Sequence, residues 1–350
     1  PPRSEIVGNG PQTLVGLVFE GNDAGQAVLD FASGAGETER LLDGGQNEVE
    51  SVQFLGGSVV TVEIGSGSLS GTVRYISNQP ELGAFSSAVE ANLSTIDNGG
   101  SGGYAKAYVN LPMGDNAAAR VVAWYNETPG WVAAHQPDGS IHADVNDGTV
   151  EGVRAAIRVE TSDQFSITPR VIYQKVETDG WNRQDVFNIL GNPYTTTRPA
   201  VTLGEHEQYT QFEEPFSDEF MLVDLNLEYE FANDMVLNSI TSYTNRDILV
   251  VRDATALTAS ITGGSIGLSE DVYTLDAPLD DGTKASGFTQ ELRLSGETGN
   301  FTWVGGMFYS DFERDYGQGL LVAGFEDLTG IPTAGFIAPR DGLYLSLIHI

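Results

Sequence analysis

Apolar and polar residues alternate along much of the chain beyond residue 84, and an alternation with period two predicts β-strands. In residues 220–231, Met221 and Val223 fall on one side of the segment. Asp224 and Glu228 fall on the other side. Segments of this kind predict nine strands, at residues 85–96, 104–111, 117–126, 149–160, 165–176, 220–231, 235–247, 287–296 and 301–312.

The connections between the predicted strands are alternately short and long. Short joins are predicted at residues 112–116, 161–164, 232–234 and 297–300, and the joins between them are much longer. A bacterial outer-membrane barrel has tight periplasmic turns on one rim and large outward loops on the other. A soluble sheet with one solvated face shows the same alternation within its strands, but it has no need to collect its long loops at one end. The pattern therefore predicts an all-β fold that contains a partial transmembrane antiparallel β-barrel.

The acidic composition excludes one class of partner. The 350 residues include 49 Asp and Glu against 17 Lys and Arg, which gives a formal net charge of −32. Nucleic acid is not an expected partner, because phosphate binding requires Lys and Arg. The acidic residues concentrate at residues 205–219, where we predict a solvated, self-repelling loop, with binding of a cation as the alternative. The chain contains no cysteine, so neither a disulfide nor a thiolate metal site is expected.

Both ends of the chain have the character of a fragment. The sequence begins at Pro1 and Pro2 without a signal peptide, although an exported protein requires one. The closing residues 343–350 are predicted to be a non-native tail, with a truncated strand as the alternative. No run of about 18 apolar residues predicts a transmembrane helix.

Two segments near the N-terminus resemble the end of the plug domain of TonB-dependent outer-membrane receptors. They are EVESVQFLGG at residues 48–57 and GSGSLSGTVRYISNQP at residues 65–80. The residues that match the family pattern are Glu50, Val52, Leu55, Gly56, Gly65, Gly71, Thr72, Arg74, Tyr75, Ile76 and Pro80. Residues 288–315 also look like a pair of early barrel strands of this family. The chain departs from the pattern at residues 56–63, where the family has an Arg-Gly-Pro turn followed by Gln-Gly-Thr-Leu.

The resemblance implies a domain organisation and a function. Residues 1–80 are expected to form the C-terminal part of an α+β plug domain, and residues 84–342 the N-terminal part of the barrel, with about nine strands. The implied function is active uptake of a scarce bulky solute across the bacterial outer membrane, such as a ferric siderophore, cobalamin, haem or an oligosaccharide. The implied partners are TonB, through an N-terminal box outside this chain, outer-membrane lipid, and a small-molecule or metal-chelate substrate.

The resemblance also indicates where ligand contacts are to be sought. In this family the substrate binds between the plug and the outer loops, so aromatic side chains in the predicted loops are candidates for ligand contact. These are Trp131, Trp181, Tyr194, Tyr209 and Tyr273. Aromatic side chains in such positions serve equally well to pack the loops together. Charged residues on the polar sides of the strands are predicted to line the lumen, namely Arg154, Arg158, Arg170 and Glu228.

No arrangement of residues in the sequence predicts an enzyme, a cofactor or a resident metal. The segment GSGSLSG at residues 65–71 lacks the third glycine of a dinucleotide-binding loop. The segment that begins at Asp144 resembles a calcium loop, but Ala155 occupies the position that requires Glu. His135 and His142 fall in one predicted loop and are the remaining candidates for contact with a metal chelate.

Two other classes of protein share part of the pattern. A passive porin-like barrel has the same strands and loops but no plug, and residues 48–80 argue against it. A secreted soluble β-sheet binding protein has the same alternation and is expected to need no detergent.

Overall fold

The structure is a computed structural model, and the parts of the chain that it describes include all the predicted strands. It describes residues 17–21, 27–32, 38–39, 60–63, 72–75, 77–184, 203–298, 301–333 and 340–349. Side chains are described within residues 77–184, 203–297, 303–333 and 340–342. The chain divides into two units, Pro1–Gln79 and Pro80–Ile350.

The described residues of the first unit form two small antiparallel sheets. One contains β1 (Leu17–Gly21), β2 (Ala27–Ala32) and β3 (Thr38–Glu39). The other pairs β4 (Val60–Glu63) with β5 (Thr72–Tyr75), with Val60 opposite Tyr75. β5 contains part of the segment that resembles a plug. The other matching residues of this unit lie outside the described residues, namely Glu50, Val52, Leu55, Gly56, Gly65, Gly71 and Ile76.

The second unit is built on one ten-stranded antiparallel sheet. Its strands pair in chain order, apart from three short strands that form a separate sheet. The separate strands are β9 (Ala133–His135), β10 (Ile141–His142) and β13 (Glu207–Tyr209). The large sheet contains β6 (Ser86–Thr95), β7 (Ser101–Pro112), β8 (Ala117–Thr128), β11 (Gly148–Ser162), β12 (Phe165–Thr178), β14 (Phe216–Glu230), β15 (Val236–Asp253), β16 (Pro278–Thr298), β17 (Phe301–Leu321) and β18 (Gly342–His349).

After the first connection, residues 96–100, the short and the long connections lie at opposite ends of this sheet, as the sequence predicts. The short connections are residues 113–116, 163–164, 231–235 and 299–300, and the long connections are residues 129–147, 179–215, 254–277 and 322–341. The described residues of the long connections contain the three short strands and four helical segments. These segments are α1 (Thr255–Ala259), a π-helix (Ser260–Ser265), α2 (Glu270–Tyr273) and α3 (Phe325–Thr329). Among the described residues, no helix is long and apolar enough to cross a membrane.

The large sheet has an apolar face that is exposed and a polar face that is largely covered. On the apolar face, large side chains are open to the surroundings, namely Val153, Ile157, Val171, Val223 and Leu225. On the polar face, hydrophilic side chains are buried, namely Asn110, Arg120, Thr168 and Asp224. This distribution is the reverse of that in a water-soluble domain, and it is expected where an apolar exterior surrounds a polar interior.

The strands on the C-terminal side of the sheet are longer than the sequence predicts. β16 begins at Pro278, so the predicted long connection is present but ends at residue 277 instead of residue 286. The added residues include Asp280, Asp281 and Lys284, which obscure the apolar alternation. They are held as strand by backbone pairing, with Asp281 opposite Val250 on one side and Gln318 on the other.

The closing residues of the chain continue the sheet. β18 pairs antiparallel with β17, with Tyr344 opposite Leu320 and His349 opposite Asp315. Residues 343–349 therefore have the backbone of a strand. That residues 343–350 are a non-native tail stays a prediction.

Candidate functional site

One cavity among the long connections contains two of the predicted aromatic residues. It has a volume of about 710 Å³ and lies where β8, β11, β12, β14 and β15 end or begin. Trp131 and Trp181 both line it, together with Phe216. Two cationic side chains, Arg183 and Arg252, and one carboxylate, Glu177, also line it. We call this space the tryptophan cavity.

Trp131 is held in place by a buried asparagine. Asn146 is 4% exposed, and its Oδ1 accepts hydrogen bonds from the backbone N–H groups of Trp131 and Val132, both at 2.8 Å. Its Nδ2 donates to Oδ1 of Asn182 at 2.8 Å. A buried polar side chain with such contacts fixes the backbone around it, because each broken hydrogen bond would leave a group without water or partner. Asn146 therefore joins two long connections beside the cavity.

Trp181 is fixed by a ring contact and by its indole nitrogen. Its ring meets that of Phe216 edge to face, with the centroids 5.7 Å apart and an interplanar angle of 65°. Its Nε1 donates to the carbonyl oxygen of Val251 at 3.3 Å. Edge-to-face contact places the positive ring edge against the negative ring face of the neighbour. The second tryptophan is thus tied to β14 and β15.

The two arginines of the cavity are each paired with a buried carboxylate. Arg183 binds Glu214 through two nitrogens, at 2.7 and 3.3 Å, and Glu214 is 2% exposed. The same carboxylate accepts the backbone N–H of Asp253 at 2.8 Å. Arg252 lies 3.0 Å from Asp281, which is also buried. Both guanidinium groups keep exposed surface, so they present N–H donors while their position is fixed.

This arrangement suits a flat or bulky solute that carries negative charge or acceptor oxygens. Tryptophan rings offer large rigid contact surfaces with little conformational entropy to lose. Guanidinium groups donate charge-assisted hydrogen bonds to carboxylate, phenolate or phosphate oxygens. The cavity volume is within the range of small-molecule sites.

The histidines of the first long connection do not come together as a metal site. His135 on β9 lies with its Nε2 3.1 Å from Oε2 of Glu207 on β13. Gly204 donates its backbone N–H to the same oxygen at 2.6 Å. This backbone hydrogen bond, with the contribution of His135, holds the pKa of Glu207 below its ordinary value. His142 is exposed, and the described residues contain no group of three acidic or histidine side chains able to hold a metal ion.

The other predicted aromatic residues lie apart from the two tryptophans. Tyr209 is 4% exposed and is packed on β13 within the loops. Tyr273 on α2 lies against the π-helix, where a Cβ added at Gly263 would be 2.8 Å from the tyrosine ring. Tyr194 lies outside the described residues. Ligand contact at these three positions stays a prediction.

The four residues predicted to line the lumen lie on β11, β12 and β14. Arg170 is 2.6 Å from the buried Asp224 on the neighbouring strand, and Arg158 is 2.8 Å from Glu160 on its own strand. Arg154 pairs in register with Ile172 on β12, and Glu228 with Asn238 on β15. The structure therefore shows charged rows along this part of the sheet, while a lumen-lining role stays a prediction.

Sequence reasoning missed Arg183, Arg252, Phe216 and Asn146 as parts of the cavity. Arg183 follows Trp181 so closely that the Trp-Asn-Arg segment could have been proposed as a unit. Phe216 and Arg252 belong to predicted strands or their extensions, so no local signal marked them as cavity residues. Their proximity follows from the antiparallel pairing of β14 with β15, which sets Phe216 opposite Val250.

Solved structures of receptors resemble this chain, although no protein-family model and no curated protein matches it. The siderophore receptor PiuA of Acinetobacter baumannii gives a TM-score of 0.50 at 14% identity, over 81% of this chain and 40% of that protein. The ferripyoverdine receptor of the outer membrane of Pseudomonas aeruginosa, solved with ferripyoverdine, gives 0.47 at 14% identity, over 74% of this chain and 31% of that protein. This chain thus spans less than half the length of either receptor.

At this identity the likeness shows the fold. The large sheet has the fold of part of an outer-membrane receptor barrel. The prediction of an all-β protein with a partial barrel is confirmed, and so is the resemblance to TonB-dependent receptors at the level of fold.

Proposed function

We propose that this chain is part of a TonB-dependent receptor that takes up a scarce, bulky solute across the outer membrane of a bacterium. The observation that carries the proposal is the tryptophan cavity, which combines two tryptophans and two arginines among the long connections of a barrel-like sheet. Its chemistry fits an aromatic or anionic metal chelate, and siderophore receptors are the proteins with the similar fold. A ferric siderophore is accordingly the substrate class we favour.

The resemblance of residues 48–80 to a plug supports active transport over passive diffusion, because a passive porin has the same polar interior without a plug. A barrel with a charged interior would be an open pore if it were empty, and large receptor barrels hold a plug in the lumen. In our proposal residues 1–80 supply the C-terminal part of that plug, and residues 84–342 supply the first part of the barrel. Release of the solute then requires TonB and the energy of the inner-membrane proton gradient.

Binding is tested on the purified chain in detergent micelles by quenching of tryptophan fluorescence with ferric catecholate, hydroxamate and mixed-ligand siderophores. We expect saturable quenching by at least one of them. Trp181→Ala should weaken that binding about tenfold, because one buried aromatic anchor commonly contributes more than 1 kcal/mol. Trp303→Ala, on β17 outside the cavity, is the matched control and should leave the affinity unchanged.

Transport is tested in cells that carry the gene and lack their own ferric siderophore receptors. Uptake of the bound siderophore should stop when the proton gradient is collapsed. Uptake that continues would indicate a passive pore. Folding of the chain in buffer without detergent, with no binding of any ferric chelate, would instead indicate a secreted β-sheet protein.

A further inference from the structure

A second, smaller cavity lies beside the tryptophan cavity and is lined mainly by acidic and other polar residues. Its volume is about 160 Å³, and Gly180 lines both spaces. Five carboxylates line it, from Asp144, Asp147, Asp179, Glu213 and Glu214. His142 also lines it, and neither Lys nor Arg is among the lining residues. We call it the acidic cavity.

The carboxylates of the acidic cavity are largely uncompensated. Within the part of the chain that the structure describes, Glu214 is the one member of the five with an ion pair, to Arg183. Asp147 is partly buried, and its burial together with the negative charge of Asp179 and Asp144 raises its pKa. Like charges held this close disfavour one another's ionised forms. A cation in the cavity would relieve this repulsion.

A second observation, independent of charge, also points to a missing partner. Gln208 on β13 lines the acidic cavity and is 1% exposed. Its Oε1 accepts no hydrogen bond from any described residue. A buried carbonyl oxygen without a donor destabilises the folded chain, so such atoms are rare unless a ligand or water supplies the donor.

We propose that the acidic cavity binds the ammonium or guanidinium group of an organic ligand, with Gln208 and the carboxylates of Asp147 and Asp179 as acceptors. An organic cation fits better than a bare metal ion, because no three of the described acidic or histidine side chains converge closely enough to ligate a metal. Hydrogen bonds from N–H groups tolerate this looser spacing. The cavity is large enough for a planar guanidinium and a few methylene groups.

The acidic cavity and the tryptophan cavity are neighbours, so one solute can occupy both. A solute that fills both spaces would carry an aromatic or anionic part and a cationic arm. The two cavities meet at the Arg183–Glu214 pair, whose guanidinium lines one space and whose carboxylate lines the other. Binding at the acidic cavity does not depend on transport, so it can fail or succeed separately from the proposed function.

The test is isothermal titration calorimetry of the full chain in detergent micelles with n-butylguanidinium. Its neutral isostere n-butylurea has the same shape and no charge. We expect saturable binding of n-butylguanidinium and at least tenfold weaker binding of n-butylurea. Asp147→Asn and Asp179→Asn should each weaken binding at least fivefold. Asp163→Asn, an exposed carboxylate in the β11–β12 turn, is the control and should bind as the unaltered chain does.

Gln208→Met keeps the length of the side chain and removes the oxygen, so it tests the same site without altering charge. It should weaken binding at least threefold, with the near-ultraviolet circular dichroism unchanged. The proposal is overturned by absence of saturable binding, by equal binding of n-butylurea, or by unchanged affinity in these variants. Saturable Ca²⁺ binding that excludes n-butylguanidinium would also overturn it, in favour of a metal site.

Discussion

At the residue scale, Asn146 does the most to connect the candidate site with the fold. Its amide satisfies two backbone N–H groups next to Trp131 and reaches Asn182 next to Trp181. The side chain is buried, so water cannot replace these contacts if they are lost. The geometry of the tryptophan cavity therefore depends on a residue that a ligand need not touch.

Asn146→Ala is expected to destabilise the folded chain by about 1–3 kcal/mol, because two N–H groups lose their acceptor in a buried place. It should also weaken binding of the ferric siderophore that the unaltered chain binds. Chemical unfolding in detergent, followed by tryptophan fluorescence, measures the first effect. Asn233→Ala, in the exposed β14–β15 turn, is the control. Equal stability of the two variants would contradict this role of Asn146.

The Glu207 contacts predict a dependence on pH. The backbone N–H of Gly204, and then His135, hold the pKa of Glu207 below the ordinary carboxyl value of 4.5. A carboxylate with a lowered pKa stabilises the folded state fully above its unfolded pKa, and this contribution is lost as the pH falls through the folded pKa. Between about pH 6 and pH 3, the unaltered chain should therefore lose more stability than Glu207→Gln does. Thermal unfolding of both proteins measures this difference.

The control for this effect is Glu205→Gln, since Glu205 is strongly exposed in the same segment. It should follow the acid response of the unaltered chain. If Glu207→Gln loses as much stability in acid as the unaltered chain does, the contacts of Glu207 contribute nothing measurable to the stability of the fold.

At the scale of elements, a glycine sets how β8 and β11 fit together. Gly152 on β11 lies opposite Trp124 on β8. A Cβ at Gly152 would lie 2.3 Å from the Trp124 ring and 2.7 Å from the carbonyl oxygen of Tyr173 on β12. The indole ring thus occupies the space that a side chain at Gly152 would need. Glycine in a strand has an entropic cost, and the packing of the Trp124 ring over Gly152 offsets it.

Gly152→Val is expected to destabilise the sheet by about 1–3 kcal/mol through overpacking, in spite of the higher strand propensity of valine. Gly305→Val on β17 is the matched control, because a Cβ at Gly305 would meet no atom within 4 Å. That variant should be neutral or slightly more stable. Unfolding in detergent compares the two, and an equal cost in both would contradict the role assigned to Trp124.

At the scale of the whole molecule, the exposed apolar face is the feature that distinguishes a membrane protein from a soluble sheet. Val171 on this face is 38% exposed at the middle of β12, whereas Gln174 on the same strand lies on the polar face. If lipid surrounds the apolar face, a charge there must enter hydrocarbon. On the polar face a charge stays among other polar groups.

Val171→Arg should therefore cost about 2–4 kcal/mol in lipid vesicles if this position lies near the bilayer midplane, and Gln174→Arg should cost far less. Denaturant titration of vesicle-inserted protein measures the difference. A soluble sheet would show little cost for Val171→Arg, because an exposed arginine is well solvated in water.

Nine of the ten strands of the large sheet, and its apolar and polar faces, could be predicted from the sequence, because period two is a local property of the chain. The tenth strand, β18, could not, since residues 343–350 were predicted to be a non-native tail. The sequence also placed the short turns and the long connections. It underestimated β16, because Asp280 and Asp281 hide the alternation while pairing with both neighbouring strands maintains the element. Backbone pairing is a property of the partner strands and cannot be found in one segment.

Which of the candidate residues lie together depends on the tertiary structure. Trp131 and Trp181 were selected from the sequence because they fall in predicted loops, and they share a cavity because β11 pairs with both β8 and β12. Tyr209 had the same sequence signal and is buried elsewhere. The arginines and the acidic cavity depend on contacts between connections that are distant along the chain, and these contacts follow from the packing of whole elements.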